Sequence, residues 1–277
     1  MRLTDLLDPR VDGRPLALAR MLLAFALAVC ALESSAVLSG IAAGKLQYPV
    51  LAIIPGPTPL AVQVFQVVGL LAAVCLLLGL FARASAATGS ALLAGALLWD
   101  QQTYSSHHLL VTLLLAYLAF AHAGQRWGIA APRGREHAAV PWWPQLLMMT
   151  QVSVLYLFAG LSKVNPRFLS GEPLQEWMWL DAPLWVFQAL AVATVATELF
   201  LAAALWIRRA RVLAVVAGVG LHLSILVGLT DQTLVLTAFA AASLSTYWLF
   251  LTRPSLRSAG AASARQPASR SAAATLD

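Results

Sequence analysis

Charge is what this sequence has least of. Only 11% of its 277 residues are charged, where a soluble domain carries about a quarter. The hydrophobic share is 60% and the mean hydropathy is +0.77, so a soluble globule is excluded. Cysteine is almost absent. Cys30 and Cys75 both fall inside apolar runs, without CxxC or other metal-ligand spacing, which excludes a disulfide framework and gives no ground for thiol redox chemistry. Strand-like alternation is missing too: the runs are continuous and rich in Leu and Ala, which excludes a transmembrane barrel. No internal repeat stands out, and this weighs against an inverted-repeat transporter.

What is present is a series of apolar runs near the twenty residues that a helix needs to cross a bilayer. They predict an all-α polytopic membrane bundle of about eight transmembrane helices, over 15–40, 58–81, 84–100, 107–123, 142–164, 184–206, 210–229 and 231–251. The third and fourth runs are short and the last two nearly continuous, which leaves seven or nine open. Breakers mark the divisions: Pro55, Pro57 and Pro59 before the second, Pro141 and Pro144 at the fifth, Pro166 after it and Pro254 after the last. The expected domains are a cytoplasmic N-terminal segment 1–14, a transmembrane domain over 15–252, and a cytoplasmic tail over 253–277. That tail is made of small residues dotted with arginine and is expected to be disordered. The first run is too long for a signal-peptide core and holds Glu33, so it is expected to be retained.

The net charge of +6 reports topology rather than a nucleic-acid partner, because the basic residues lie between runs. Fourteen of the eighteen fall in one alternating set of connecting segments, and only Lys45, Lys163 and Arg167 in the other, with Arg20 inside a run. The positive-inside rule then places both termini in the cytoplasm of a multi-pass protein, expected in the plasma membrane with the lipid bilayer as its first partner.

Ionisable groups at membrane depth are functional candidates by default. Arg20 and Glu198 both fall in the cytoplasmic half and are expected to form a structural ion pair. Glu33, Asp100, Gln101, His107, His108, Lys163, His222 and Asp231 fall in the outer half, as one polar layer open to that side. Plainer roles exist for each: interfacial His107 and His108, a core His222, a snorkelling Lys163. No metal is expected, because the adjacent His107 and His108 face about 100° apart on a helix.

The segment Tyr156-Leu-Phe-Ala-Gly-Leu-Ser-Lys163-Val-Asn-Pro-Arg-Phe-Leu-Ser-Gly171 resembles the signature of the HTTM domain, the membrane domain shared with vitamin K-dependent γ-glutamyl carboxylase. Thr103-Tyr-Ser-Ser-His107-His-Leu-Leu110 is similar to a second family segment, and His222, following the Glu198-Leu-Phe span, to a third. The resemblance implies Lys163 as the base that deprotonates a vitamin K-type hydroquinone, with His107 assisting. It implies reduced vitamin K or menaquinone, O2 and CO2 as cofactors, and a lipophilic quinone as ligand, with a peptide or protein substrate on the outer face. His108, His222, Tyr156 and Asn165 are expected to bind substrate, and Gln66, Gln151 and Tyr156 are polar groups that could point inward or equally hydrogen-bond neighbouring helices. The sequence places no acidic residue beside Lys163 until Glu172, and desolvation of such an amine would let it act as a base. The loop 165–183 carries Glu172, Glu176 and Asp181, which disfavours a glutamate-rich substrate. Two other functions stay open: a non-catalytic helper for maturation, export or immunity of a secreted peptide, and a small-solute transporter.

Overall fold

The computed structural model describes residues 9–129, 131, 139–230 and 233–251. The expected tail, most of the expected N-terminal segment and Asp231 lie outside these. The chain is an all-α multi-pass bundle. Its helices are α1 (Arg14–Ala42), α2 (Pro59–Leu78), α3 (Ala82–Trp99), α4 (Ser106–Phe120), α5 (Trp143–Lys163), α6 (Pro166–Leu169), α7 (Glu172–Trp177), α8 (Leu184–Ala204), α9 (Arg211–Gly228), α10 (Thr233–Ser245) and α11 (Tyr247–Leu251). Two three-residue strands, Arg10–Asp12 and Ala139–Pro141, pair antiparallel with Val11 opposite Val140, and tie the chain before α1 to the chain before α5.

Six segments are long and apolar enough to cross a membrane: α1, α2, α5, α8, α9 and Leu234–Leu251, which takes in α10 and α11. The third and fourth predicted spans exist as α3 and α4 but fall short on those measures. α3 is diluted by Arg83, Ser85, Thr88 and Ser90, and α4 has 15 residues. A count of eight is therefore not reached by length and composition.

Local sequence explains the helix ends. Thr58 caps α2 by accepting from Ala61 N at 3.2 Å, with Pro59 in the first turn, where its missing N–H costs nothing. Gly79 closes α2 in the left-handed region at φ 72°, a conformation that only glycine adopts without strain. α1 lies centrally, packed against α2, α4 and α10, and buries Leu16, Leu23, Leu27 and Leu38. By contrast α2 leaves Val64, Val67 and Leu71 exposed, and α9 leaves Val212, Val216 and Leu223 exposed. Such apolar faces suit acyl chains, since a bilayer does not penalise exposed hydrocarbon.

Small residues set the close helix contacts, but selectively. A Cβ on Gly89 would lie 2.6 Å from Leu27 Cδ2, whereas Gly95 of the same helix has nothing within 4 Å. On the α5–α8 seam, a Cβ on Gly160 would lie 2.8 Å from Leu199 Cδ2 and 3.4 Å from Glu198 Cβ. That glycine brings the backbone of α5 against the turn of α8 that carries Glu198.

The Arg20–Glu198 pair does not form. Fully buried Arg20 donates from Nη1 to Leu76 O at 2.7 Å and Leu77 O at 3.1 Å, and from Nη2 to Trp127 O at 2.8 Å. It therefore serves the last carbonyls at the C-terminal end of α2, where a cation is favoured, and leaves Glu198 to another partner.

Candidate functional site

α5 ends at Lys163, and the chain turns at once into α6 and α7. Asn165 caps α6: its Oδ1 accepts from Phe168 N at 2.9 Å and its Nδ2 donates to Ser162 O at 2.8 Å. Both polar atoms of the expected substrate-binding Asn165 are thus spent on the turn. The segment is anchored to the end of α9 by Trp179 N donating to Gly228 O at 3.2 Å and Thr230 N to Trp177 O at 3.0 Å. The backbone of Gly171, at φ 79°, sits against that of Phe187 and Gln188, so the turn after α5 reaches only the first helical turns of α8.

Lys163, eight residues before Gly171, is level with Glu198, about 21 Å along α8 from Leu184 at ~1.5 Å per residue. Lys163 Nζ donates to both carboxylate oxygens of Glu198, at 2.8 and 2.9 Å, and to Ala159 O at 3.2 Å. The side chain of Glu198 is 8% exposed and that of Lys163 29%. The expectation of a lysine without an acidic neighbour fails: its carboxylate comes from the next span, at a depth that counting from flat helix ends misassigns.

The pair lies on the wall of a cavity of about 560 Å³ between α4, α5, α6, α7, α8, α9 and α10. Most of the lining is apolar, with Tyr104, Phe158, Phe168, Trp177 and Phe239 its aromatic side chains, and Ser106, Gln151, Ser162 and Thr194 add small polar groups. A cleft of a few hundred Å³ with a few convergent polar groups is the usual form of a small-ligand site.

The remaining predicted residues gather in two other places. His107 and His108 begin α4 but turn toward α1, away from the set that lines the cavity. His107 Nε2 lies 2.9 Å from Glu33 Oε2, and His108 Nε2 lies 3.1 Å from Ser34 Oγ and 3.2 Å from Cys30 O. The pairing of His107 with Lys163 at one site is therefore not formed. Tyr156 and His222 do meet, at 2.9 Å between Oη and Nε2, and Tyr247 Oη stands 2.6 Å from Tyr156 Oη. This trio is buried behind the cavity wall, with the His222 ring 5.4 Å from that of the lining Phe239. Tyr156 and His222 thus support the wall instead of forming it.

Asp100 belongs to neither group. Fully buried, it accepts from Tyr48 N at 2.7 Å and Gln102 N at 2.9 Å, holding the 45–57 loop to the turn before α4. The expected single polar layer is thus several separate clusters.

The HTTM domain family model matches residues 9–253, nearly the whole chain. The protein belongs to the HTTM family. Its Lys163 segment forms the corner that meets Glu198, and its His107 segment forms the head of α4. No curated protein and no solved structure matches the chain. Sequence reasoning missed Glu198 as the partner of Lys163 and missed Tyr247 altogether. Gly160, three residues before Lys163, was the available signal for the first, because a glycine inside a helix marks a close neighbour.

Proposed function

We propose that this HTTM protein is a membrane enzyme of the carboxylase-epoxidase type, which holds a lipophilic hydroquinone in the Lys163 cavity and removes the proton of its hydroxyl. The supporting observation is a charged pair displayed on the wall of a cavity that is otherwise apolar. The lining fits such a ligand: aromatic and aliphatic walls suit fused rings and a prenyl tail, and the polar groups suit one hydroxylated end. Such a hydroquinone, vitamin K or menaquinone in reduced form, would supply a hydroxyl proton and the electrons that reduce O2, with CO2 as co-substrate if carboxylation follows.

The chain contributes the proton's destination. With Lys163 Nζ bonded to both Glu198 oxygens, the base is the pair and not the amine alone. A proton can rest on a Glu198 oxygen while the ammonium of Lys163 stays beside the ligand, so the site's net charge does not change. Burial of Glu198 and the apolar wall keep water from competing for that proton. We place the protein in the plasma membrane with both termini cytoplasmic, on the strength of the fourteen-to-three division of basic residues. The segment 166–177 then lies toward the outer face, where an acceptor peptide would be presented.

The test is epoxide formation by the purified protein in nanodiscs, supplied with vitamin K or menaquinone hydroquinone and O2 and read by mass spectrometry. Wild type is expected to form epoxide, and Lys163→Ala and Glu198→Gln to lose about 10²-fold or more, the usual worth of a positioned base. Absence of epoxide with every hydroquinone, or epoxide indifferent to both substitutions, contradicts the proposal. A second reading has one observation in its favour: the same bidentate pair ties α5 to α8. A helper protein would use it as a clasp, and Lys163→Met/Glu198→Leu would then keep whatever function the wild type shows.

A further inference from the structure

The cluster between α1 and α4 is not used by the proposed reaction, and its composition differs in kind from the Lys163 site. Cys30 and Glu33 stand three residues apart on α1, hence on one face. His107 and His108 occupy the first turn of α4, with ring centroids 4.7 Å apart. One donor atom each from Cys30, His107 and His108 falls within a sphere where all separations are at most 4.8 Å, and all three residues are buried. Glu33 Oε2, outside that group of three, stands 2.9 Å from His107 Nε2 and 3.8 Å from His108 Nε2, near enough to supply a fourth donor. The 100° between adjacent helix positions does not separate these histidines, because at a helix start both side chains can lean toward the neighbouring α1.

We infer that Cys30, Glu33, His107 and His108 form a structural zinc site that clips α1 to α4.

The donor set fits the ion. One thiolate, one carboxylate and two imidazoles are the ligand types of tetrahedral Zn2+, and four protein ligands leave no open position, as in structural sites. Bond lengths of about 2.0–2.3 Å put the donors of a tetrahedron roughly 3.3–3.7 Å apart. The two edges from Glu33, 2.9 and 3.8 Å, bracket that range, and ion binding would draw in the longer separations by side-chain rotation. The charge also balances. Zn2+ with a thiolate, a carboxylate and two neutral imidazoles sums to zero, which suits burial among lipid-facing helices better than an unneutralised ion would.

Two further observations point the same way. The Cys30 thiol is wholly buried and has no hydrogen-bond partner among the described residues, although it stands beside three polar side chains. Ser105 Oγ lies 2.7 Å from His108 Nδ1, the arrangement in which a metal-bound histidine gives its second nitrogen to a hydrogen-bond partner and leaves Nε2 for the ion. Binding then requires Nδ1–H to donate to Ser105, and Nε2 to give up Cys30 O and Ser34 Oγ. The Cys30 thiol proton leaves to solvent.

The test uses full-length protein in nanodiscs, purified through a tag other than polyhistidine, stripped with a chelator and titrated with Co2+ as an optical probe and Zn2+ as competitor. One equivalent of Co2+ is expected, with tetrahedral visible bands and a thiolate-to-cobalt band in the near ultraviolet, all displaced by Zn2+. Cys30→Ser should abolish the thiolate band, and His108→Ala should weaken Zn2+ binding at least tenfold. A wild type that binds less than one equivalent, or that binds Co2+ without a thiolate band, overturns the site whatever the variants do. Unchanged binding in correctly assembled His108→Ala protein, judged by its elution volume, overturns it as well. The readout is independent of quinone chemistry, so it separates from failure of the proposed function.

Discussion

The α1–α4 cluster and the α5–α8 pair are both polar centres inside an apolar bundle, yet they are built on opposite principles. Around His107 and His108 the polar atoms turn inward on one another: Glu33, Ser34, Ser105 and the Cys30 carbonyl satisfy the rings, and both histidines are buried. Around Lys163 a single pair satisfies itself and stands on the wall of a cavity. The presence of an ionisable group at membrane depth therefore says little about its role. What decides is whether its neighbours are donors converging on one point or a wall that leaves space for an organic ligand.

The widest break in that comparison should come from Glu198→Leu. It strands a cation whose side chain is 29% exposed, and is expected to cost about 3 kcal/mol, the lower end for breaking a buried pair. Lys163→Met/Glu198→Leu should recover most of that, as measured by reversible unfolding in mixed detergent micelles. Equal loss in the single and double variants would mean that the seam depends on packing and not on charge.

Arg20→Met probes a buried cation that is not part of the Lys163 cavity lining. Losing three hydrogen bonds to carbonyls should cost about 2 kcal/mol in the same assay, with ligand binding at the Lys163 cavity unchanged. A loss of binding would link the two ends of the bundle and blur the comparison.

The seam can also be sharpened sterically. Gly160→Ala puts a methyl 2.8 Å from Leu199 Cδ2 and should destabilise by about 1–2 kcal/mol. Infrared bands of the Glu198 carboxylate should shift as α5 and α8 part. Gly95→Ala, with open space around it, should instead stabilise by about 0.5 kcal/mol, because alanine restricts the unfolded chain. If both substitutions behaved alike, close contact at Gly160 would not be what seats the pair.

Much of this was legible in the sequence, for physical reasons. Apolar run length follows directly from bilayer thickness, so the all-α class and most helix positions could be read. The Lys163 and His107 segments could be read because they carry local motifs. Pairings between helices could not be, because they depend on where each helix starts in depth. Counting from flat ends set Glu198 near Arg20, whereas α5 stops deep in the bundle, with Lys163 level with Glu198, and the following segment climbs back to the first helical turns of α8 at Gly171. The histidines show the same limit. Helical spacing gives the direction of Cα–Cβ bonds, not the lean of a long ring at a free helix start.

The central claim is that the Lys163 cavity, and no other part of the bundle, receives the lipophilic ligand. A photoreactive menaquinol analogue, irradiated with the protein in nanodiscs and mapped by peptide mass spectrometry, tests it most directly. Labelling is expected on α5 near Phe158 and on the segment holding Phe168 and Trp177, reduced by excess menaquinol and by Phe158→Glu. Labelling spread over the lipid-facing sides of α2 and α9, and indifferent to menaquinol, would contradict the account.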